Sequence, residues 1–275
     1  MSAFHPRLGR IRHVVLDMDG TIYKGKVLFP CTLPFLKRLD EAGIGHTFLT
    51  NNTSRSKADY VAKLRAFGIE AGENEIHTPA DSAIVYLRRN LPKARSIAVL
   101  GTPSLCRQFE EAGFNVSWNA PGAVIVGFDT TLTYDRLCKA AYWIKQDLPF
   151  IATHPDLVCP TDEATVLVDC GSICAALAAA TGKHPVVLGK PDPSILLDLC
   201  ESLSLSRDQV AMVGDRIYTD MAMARNASVL GVLVLSGEAT RPDADAQMPA
   251  LDMVVRDIGE FGERLIAAHA AEVSE

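Results

Sequence analysis

Short apolar runs that stop abruptly at polar residues, each followed by a helix-period segment closed by glycine, recur along this 275-residue chain. That alternation constrains the fold more than any other feature. "HVVLD" at 13–17 leads to "PFLKRLDEAG", a helix ended by Gly43. "IGHTFLTNN" is the next strand. In "SRSKADYVAKLRAFG", Ser54 or Ser56 is the cap, Ala58, Val61, Leu64 and Phe67 form the buried stripe, and Gly68 is the stop. Strand, helix, strand, helix at this spacing predicts an α/β fold on a parallel sheet.

From about Thr78 the pattern restarts. "PADSAIVYLRRNLP" reads as a helix with proline in its first turn, "SIAVLG" and "GAVIVGFD" as strands, "TYDRLCKAAYWIKQD" as a helix and "PFIATHPD" as a strand with its exit. Residues 78–182 thus form an α/β layer of their own, inserted into an outer domain of residues 1–77 and 183–275. In the outer part, "HPVVLGKPDP", "QVAMVGD" and "SVLGVLVLSG" are further strands of the first sheet. The polar stretch 236–249, "SGEATRPDADAQMP", reads as a surface loop.

Composition narrows the partners. The net charge of −6 argues against a nucleic-acid binder, which should show a basic excess or stripe, while a small anionic ligand remains compatible with a local positive pocket. Seven scattered cysteines lack metal spacing and suit a reducing compartment; Cys170 and Cys174, four apart, are expected to pack. No run approaches the ~20 apolar residues of a membrane span, and "MSAFHPRLGRIR" has no apolar leader core. A soluble, cytoplasmic protein with no membrane partner is the expectation.

Ligands in open parallel sheets bind beyond the carboxyl ends of the strands, so the polar residues that end the outer strands matter most. They are Asp17 and Asp19, then Thr50, Asn51 and Asn52, then Lys190, then Asp215 with Asp220 beyond it. Two carboxylates two residues apart repel unless a cation or a proton offsets them. Phosphoryl transfer through an aspartyl-phosphate uses such a set. One carboxylate is kept ionised by Mg2+, a second protonates the leaving alkoxide and later deprotonates water, and a hydroxyl and a lysine hold the phosphoryl oxygens.

"DMDGT", "TNNTSRS", "GKPDP" and "GDRIYTD" resemble the four motifs of the haloacid dehalogenase (HAD) superfamily, closest to its NagD-like phosphatases. The resemblance covers essentially the whole chain. It implies a Rossmann-like parallel-sheet core with a large inserted α/β cap that selects the substrate, and leaves a homodimer through the cap open. It further implies Asp17 as nucleophile and Mg2+ ligand, and Asp19 as general acid/base, ligating Mg2+ through its carbonyl. Thr50 and Asn51, with Asn52 beside them, would position the phosphoryl group. Lys190 would neutralise nucleophile and phosphate, Asp215 would bind Mg2+, and Asp220 would orient Lys190 or a metal-bound water. "VIVGFDTTLTYDRLCKA" and "FIATHPDLVCPT" also match phrases of that branch, with departures at His154 and at Asp169-Cys170-Gly171.

The implied activity is a Mg2+-dependent phosphatase for small phosphorylated metabolites. The alternatives are a phosphotransferase or mutase on the same scaffold and a non-catalytic phosphate-ligand protein. Halide chemistry has no use for Asp19 or Asp215, and no P-loop run is present. Thr50 has a second reading as a turn hydroxyl, Asn52 as a helix cap, and Asp220 as a first-turn acid. Arg216 is a substrate contact or a salt-bridge partner. His154 and Asp156 contact substrate or satisfy a loop. His5, His13, His46, His77, His184 and His269 read as structural or exposed. Trp118, Tyr142 and Trp143 line the cap cavity or pack its core.

Overall fold

The computed structural model describes residues 5–159 and 165–272. Pro160 and Thr161, the end of "FIATHPDLVCPT", lie outside the described residues. In chain order the strands are β1 (His13–Asp17), the short ribbon β2 (Tyr23–Lys24) and β3 (Val27–Leu28), β4 (Gly45–Leu49) and β5 (Ile76–His77). Then come β6 (Ser96–Leu100), β7 (Asn115–Val116), β8 (Val124–Val126), β9 (Phe150–Ala152), β10 (Val158–Cys159), β11 (Leu167–Val168) and β12 (Val186–Val187). The last are β13 (Val210–Gly214), β14 (Leu230–Val234) and β15 (Met253–Val255).

Two compact units result: Met1–Thr50 with Lys63–His77 and Lys190–Glu275, and Asn51–Ala62 with Thr78–Gly189. The first holds a six-stranded parallel sheet in the order β15-β14-β13-β1-β4-β5. Every residue of β1, β13 and β14 is buried, as strands covered on both faces must be. Val15 and Met212 face Leu196, Leu199 and Met223 in one core cluster. Phe35, from the helix Thr32–Glu41, meets Phe261, from the helix Ile258–Glu272, at 6.0 Å between ring centroids. Full burial of side chains of this size stabilises by roughly 1.5–3 kcal/mol each.

The chain adds β4 and β5 on one side of β1, and β13, β14 and β15 on the other. The order therefore reverses between β1 and β13, which opens a crevice at their carboxyl ends. At the opposite end of β1, His13 is buried and its Nε2 lies 2.8 Å from Thr47 Oγ1. Burial, with His46 and His77 nearby, pushes its pKa down to about 4.

The second unit has its own parallel sheet, β12-β9-β8-β6-β7. Side chains alternate along its strands. Ala98, Leu100, Val124 and Val126 join Ile144, Cys170, Cys174 and Leu177, while Ile97, Val99, Ile125 and Ile151 join Leu87, Leu105 and Phe109. The cysteine pair is core, as expected, and Trp118 and Trp143 pack against that core while Tyr142 is exposed. Thr78 caps the helix Pro79–Asn90, with Asp81 Oδ2 returning to the Thr78 N–H at 2.8 Å. Ser56, not Ser54, caps the helix Lys57–Ala66: its Oγ accepts from the Asp59 N–H at 3.1 Å.

One strand moves from its expected sheet. Val186 and Val187 of "HPVVLGKPDP" pair with Ile151 and Ala152, so β12 edges the second sheet and the first unit resumes at Lys190 rather than 183. Residues 51–62 likewise group with the second unit. A two-residue apolar run carries no mark of which sheet it joins; only the partner across the ladder decides. No helix among the described residues is long and apolar enough to cross a membrane.

Candidate active site

β1 ends by burying Asp17, and the chain then turns sharply. The Met18 carbonyl accepts from the N–H groups of Thr21 and Ile22, and the Gly20 N–H donates to the Tyr23 carbonyl at 2.7 Å. Gly20 has φ +91°, a left-handed conformation that suits glycine. Met18 points into the core and Asp19 is exposed. The two aspartates therefore differ in environment: the first is enclosed, the second faces solvent.

Beside β1, β13 delivers Gly214 and Asp215, and the π-type turn Ile217–Met221 delivers Asp220. Oxygens of Asp17, Asp215 and Asp220 lie within 4.8 Å of one another. At that spacing two ionised carboxylates repel by roughly 3 kcal/mol in a medium of effective dielectric about 20. Lys190, 3 % exposed, is the counter-charge. Its Nζ contacts Asp17 Oδ1 and lies 2.7 Å from Asp220 Oδ1. The other oxygen of Asp220 accepts the Arg216 N–H at 3.0 Å, which fixes that carboxylate against the lysine.

Three acids against the Lys190 ammonium and the Arg216 guanidinium, itself paired with Glu238, leave excess negative charge. Burial pushes the Asp17 pKa up to about 8, against the pull of Lys190 and with Asp220 and Asp215 adding to the rise. Burial and Asp220 push Asp215 up to about 6. Burial works against the Lys190 ammonium, but Asp17 and Asp220 outweigh it and raise its pKa. The cluster is thus built to accept a further positive charge. Asp215 Oδ2 accepts the Glu238 N–H at 2.7 Å, whereas Asp215 Oδ1 is buried with no hydrogen-bond partner. An unsatisfied buried carboxylate oxygen among hard-oxygen donors fits Mg2+.

The remaining candidates divide. Thr50 ends β4, buried, its N–H donating to the His77 carbonyl at 3.1 Å. Arg216 Nε lies 3.0 Å from Glu238 Oε2, a salt bridge. In the second unit, Asn51 Nδ2 donates to Asp156 Oδ1 at 3.2 Å. Asn52 Oδ1 accepts from the Ser54 N–H at 2.8 Å and its hydroxyl at 2.6 Å, so Asn52 shapes its own loop. His154, 0 % exposed, stands 3.8 Å from Asp156 Oδ2 and 3.4 Å from Asp169 Oδ1. Asp169 also caps the helix Cys170–Thr181 through the Cys170 N–H at 2.6 Å.

Sequence reasoning missed Ser236, Gly237 and Glu238, read as surface loop. They follow β14 and close over Asp215: the Ser236 hydroxyl donates to the Gly20 carbonyl at 2.7 Å, and the Ala239 N–H donates to the Asp215 carbonyl at 3.1 Å. The signal was present, because "LVLSGE" is another apolar strand ending in polar residues, as at the four sites singled out.

Residues 14–115 match the haloacid dehalogenase-like hydrolase family and residues 187–261 a HAD-hydrolase-like family. An acid sugar phosphatase of Staphylococcus aureus (strain USA300) is 30% identical over 247 residues, 90% of this chain and 95% of that one. The ribonucleotide monophosphatase NagD of Escherichia coli (strain K12) is 29% identical over 236 residues, 86% of this chain and 92% of its own. The crystal structure of 4-nitrophenylphosphatase from Thermotoga maritima superposes with a TM-score of 0.90 at 38% identity, covering 94% of this chain and 99% of that one.

Proposed function

The chain belongs to the haloacid dehalogenase-like hydrolases, in their NagD-like branch, and is a phosphoric monoester hydrolase; we propose that it is a Mg2+-dependent phosphatase of small phosphomonoesters acting through an aspartyl-phosphate. One observation carries this reading: the buried Asp17 at the end of β1, with the Lys190 ammonium on one oxygen and Asp215 offering a bare Oδ1 in the same cluster.

In the proposed mechanism Asp17 attacks phosphorus and the bond to the leaving oxygen breaks. Asp19, exposed where Asp17 is enclosed, protonates that alkoxide and then takes a proton from the water that hydrolyses the aspartyl-phosphate. Lys190 favours the ionised nucleophile and, with Thr50, meets the non-transferring oxygens as charge builds on them. Asp220 holds Lys190 in place. Asp17, the Asp19 carbonyl and Asp215 would hold Mg2+, whose charge keeps Asp17 ionised and screens it from the phosphoryl group.

The second unit is proposed as the cap that selects substrate, with Asn51 and Asp156 as its polar pair. His154, fully enclosed, serves to hold Asp156 and Asp169 rather than to touch substrate. A homodimer through that unit is proposed with it, since edge strand β12 exposes Val186 and Val187, and Leu157, Val166 and Val168 are exposed around β10 and β11. Seven free thiols favour the reducing cytoplasm. The relatives' names put sugar phosphates and nucleoside monophosphates first among candidates.

The test is phosphate release from a panel of such esters and 4-nitrophenyl phosphate, with Mg2+ and with EDTA, for the wild type and Asp17→Asn. Metal-dependent release by the wild type alone is expected. Release undiminished by EDTA, or near wild-type turnover by folded Asp17→Asn, refutes the mechanism.

A further inference from the structure

Resting on that reading of the carboxylate cluster, we infer that the turn Ser236–Gly237–Glu238 is the positioning element that decides which oxygen of Asp215 is offered to the cation. A carboxylate on a free side chain presents either oxygen, and a hard cation competes with every other use of both. Here one oxygen is taken. The Glu238 N–H holds Oδ2 at 2.7 Å and leaves Oδ1 buried without a hydrogen-bond partner.

The hold is steric as well as polar. A Cβ on Gly237 would lie 1.9 Å from Asp215 Oδ2 and 2.5 Å from its Cγ. A Cβ on Gly20 would lie 2.3 Å from the same oxygen and 2.6 Å from Cγ. Two glycines from separate loops thus pack directly against one carboxylate. The Ser236 hydroxyl joins those loops by donating to the Gly20 carbonyl, and the Arg216–Glu238 ion pair anchors the residue whose N–H makes the bond. The two loops follow β1 and β14, which lie on either side of β13, the strand that carries Asp215. The clamp is therefore a product of sheet order.

Gly237, unlike Gly20, does not have a left-handed backbone, so alanine there meets only an obstacle of space. Gly237→Ala must turn the Asp215 carboxylate away from the Glu238 N–H while leaving its charge in place. A positioning role therefore shows in metal affinity, whereas a merely structural role shows in stability and leaves the affinity of the folded protein alone.

The experiment is Mg2+ titration calorimetry without substrate, together with the Mg2+ dependence of kcat on 4-nitrophenyl phosphate. For folded Gly237→Ala we expect Mg2+ Kd to rise at least tenfold and the half-activating Mg2+ concentration to rise in step, with kcat at saturating Mg2+ falling less. Ser236→Ala should weaken Mg2+ binding in the same direction by severalfold, and Ser236→Thr, which keeps the hydroxyl, should recover most of it. If Gly237→Ala does not fold, the Ser236 pair decides. A wild type that binds Mg2+ and a folded variant that binds it equally well overturn this inference alone. A wild type that binds no Mg2+ overturns the Mg2+-dependent mechanism beneath it.

Discussion

Replacing Lys190 by methionine removes the ammonium that sits among three buried carboxylates while nearly conserving side-chain volume, so the change is electrostatic rather than a cavity. Breaking a buried ion pair by deleting one partner costs about 3–5 kcal/mol, because the other partner is left charged and unsolvated. Lys190 contacts both Asp17 and Asp220, and Asp215 belongs to the same cluster, which places the expected loss at the upper end. Protons can replace the lysine. Deleting it raises the carboxylate pKa values further, so the folded variant binds protons more tightly than its unfolded chain and loses stability as pH rises. Urea unfolding in EDTA should therefore show Lys190→Met destabilised by about 3–5 kcal/mol at pH 8 and by clearly less at pH 5. Mg2+ at pH 8 should narrow the gap. A difference below about 1 kcal/mol at pH 8, or one that does not change with pH, would show that the cluster does not depend on this charge.

Two further pH effects run in opposite directions. In the metal-free wild type, Asp17 and Asp215 have folded pKa values raised to about 8 and about 6 from ordinary values near 3.8. Their folded state binds more protons than the unfolded chain between those limits, so thermal stability in EDTA should decline as pH climbs from 4 to 8, and Mg2+ should flatten that decline; a profile unmoved by Mg2+ would contradict the cation fit. His13 is depressed to about 4 from 6.5, so it contributes stability above pH 6.5 that is lost as pH falls through 4, at most about 3 kcal/mol. His13→Gln should flatten this acid limb of a urea-unfolding series, and an unchanged limb would assign acid sensitivity elsewhere.

Much of the site was legible because strand ends are local. An apolar run that stops at Asp17, Thr50 or Asp215 announces in sequence where the chain leaves a parallel sheet, and the sheet's crevice collects those ends. The start of the helix Pro79–Asn90 was equally plain, since a proline without an N–H to donate suits the first turn. Val186 and Val187 were not, because the choice between two parallel sheets rests on a partner strand more than thirty residues away in the chain. The partner of His154 was hidden for a similar reason: nothing around "THPD" tells that Asp169 stands 3.4 Å from its ring.

What the sequence by itself determined was chemistry and local form: two aspartates at one strand end, a lysine and another aspartate pair at others, and alternating strands and helices to carry them. Tertiary structure decided which of those charges touch. It set Lys190 against Asp17 and Asp220, separated buried Asp17 from exposed Asp19, and laid Gly20 and Gly237, from separate loops, against Asp215. Residue type sets what a carboxylate can do, but its charge state and the oxygen it presents depend on neighbours that only the order of strands brings within contact.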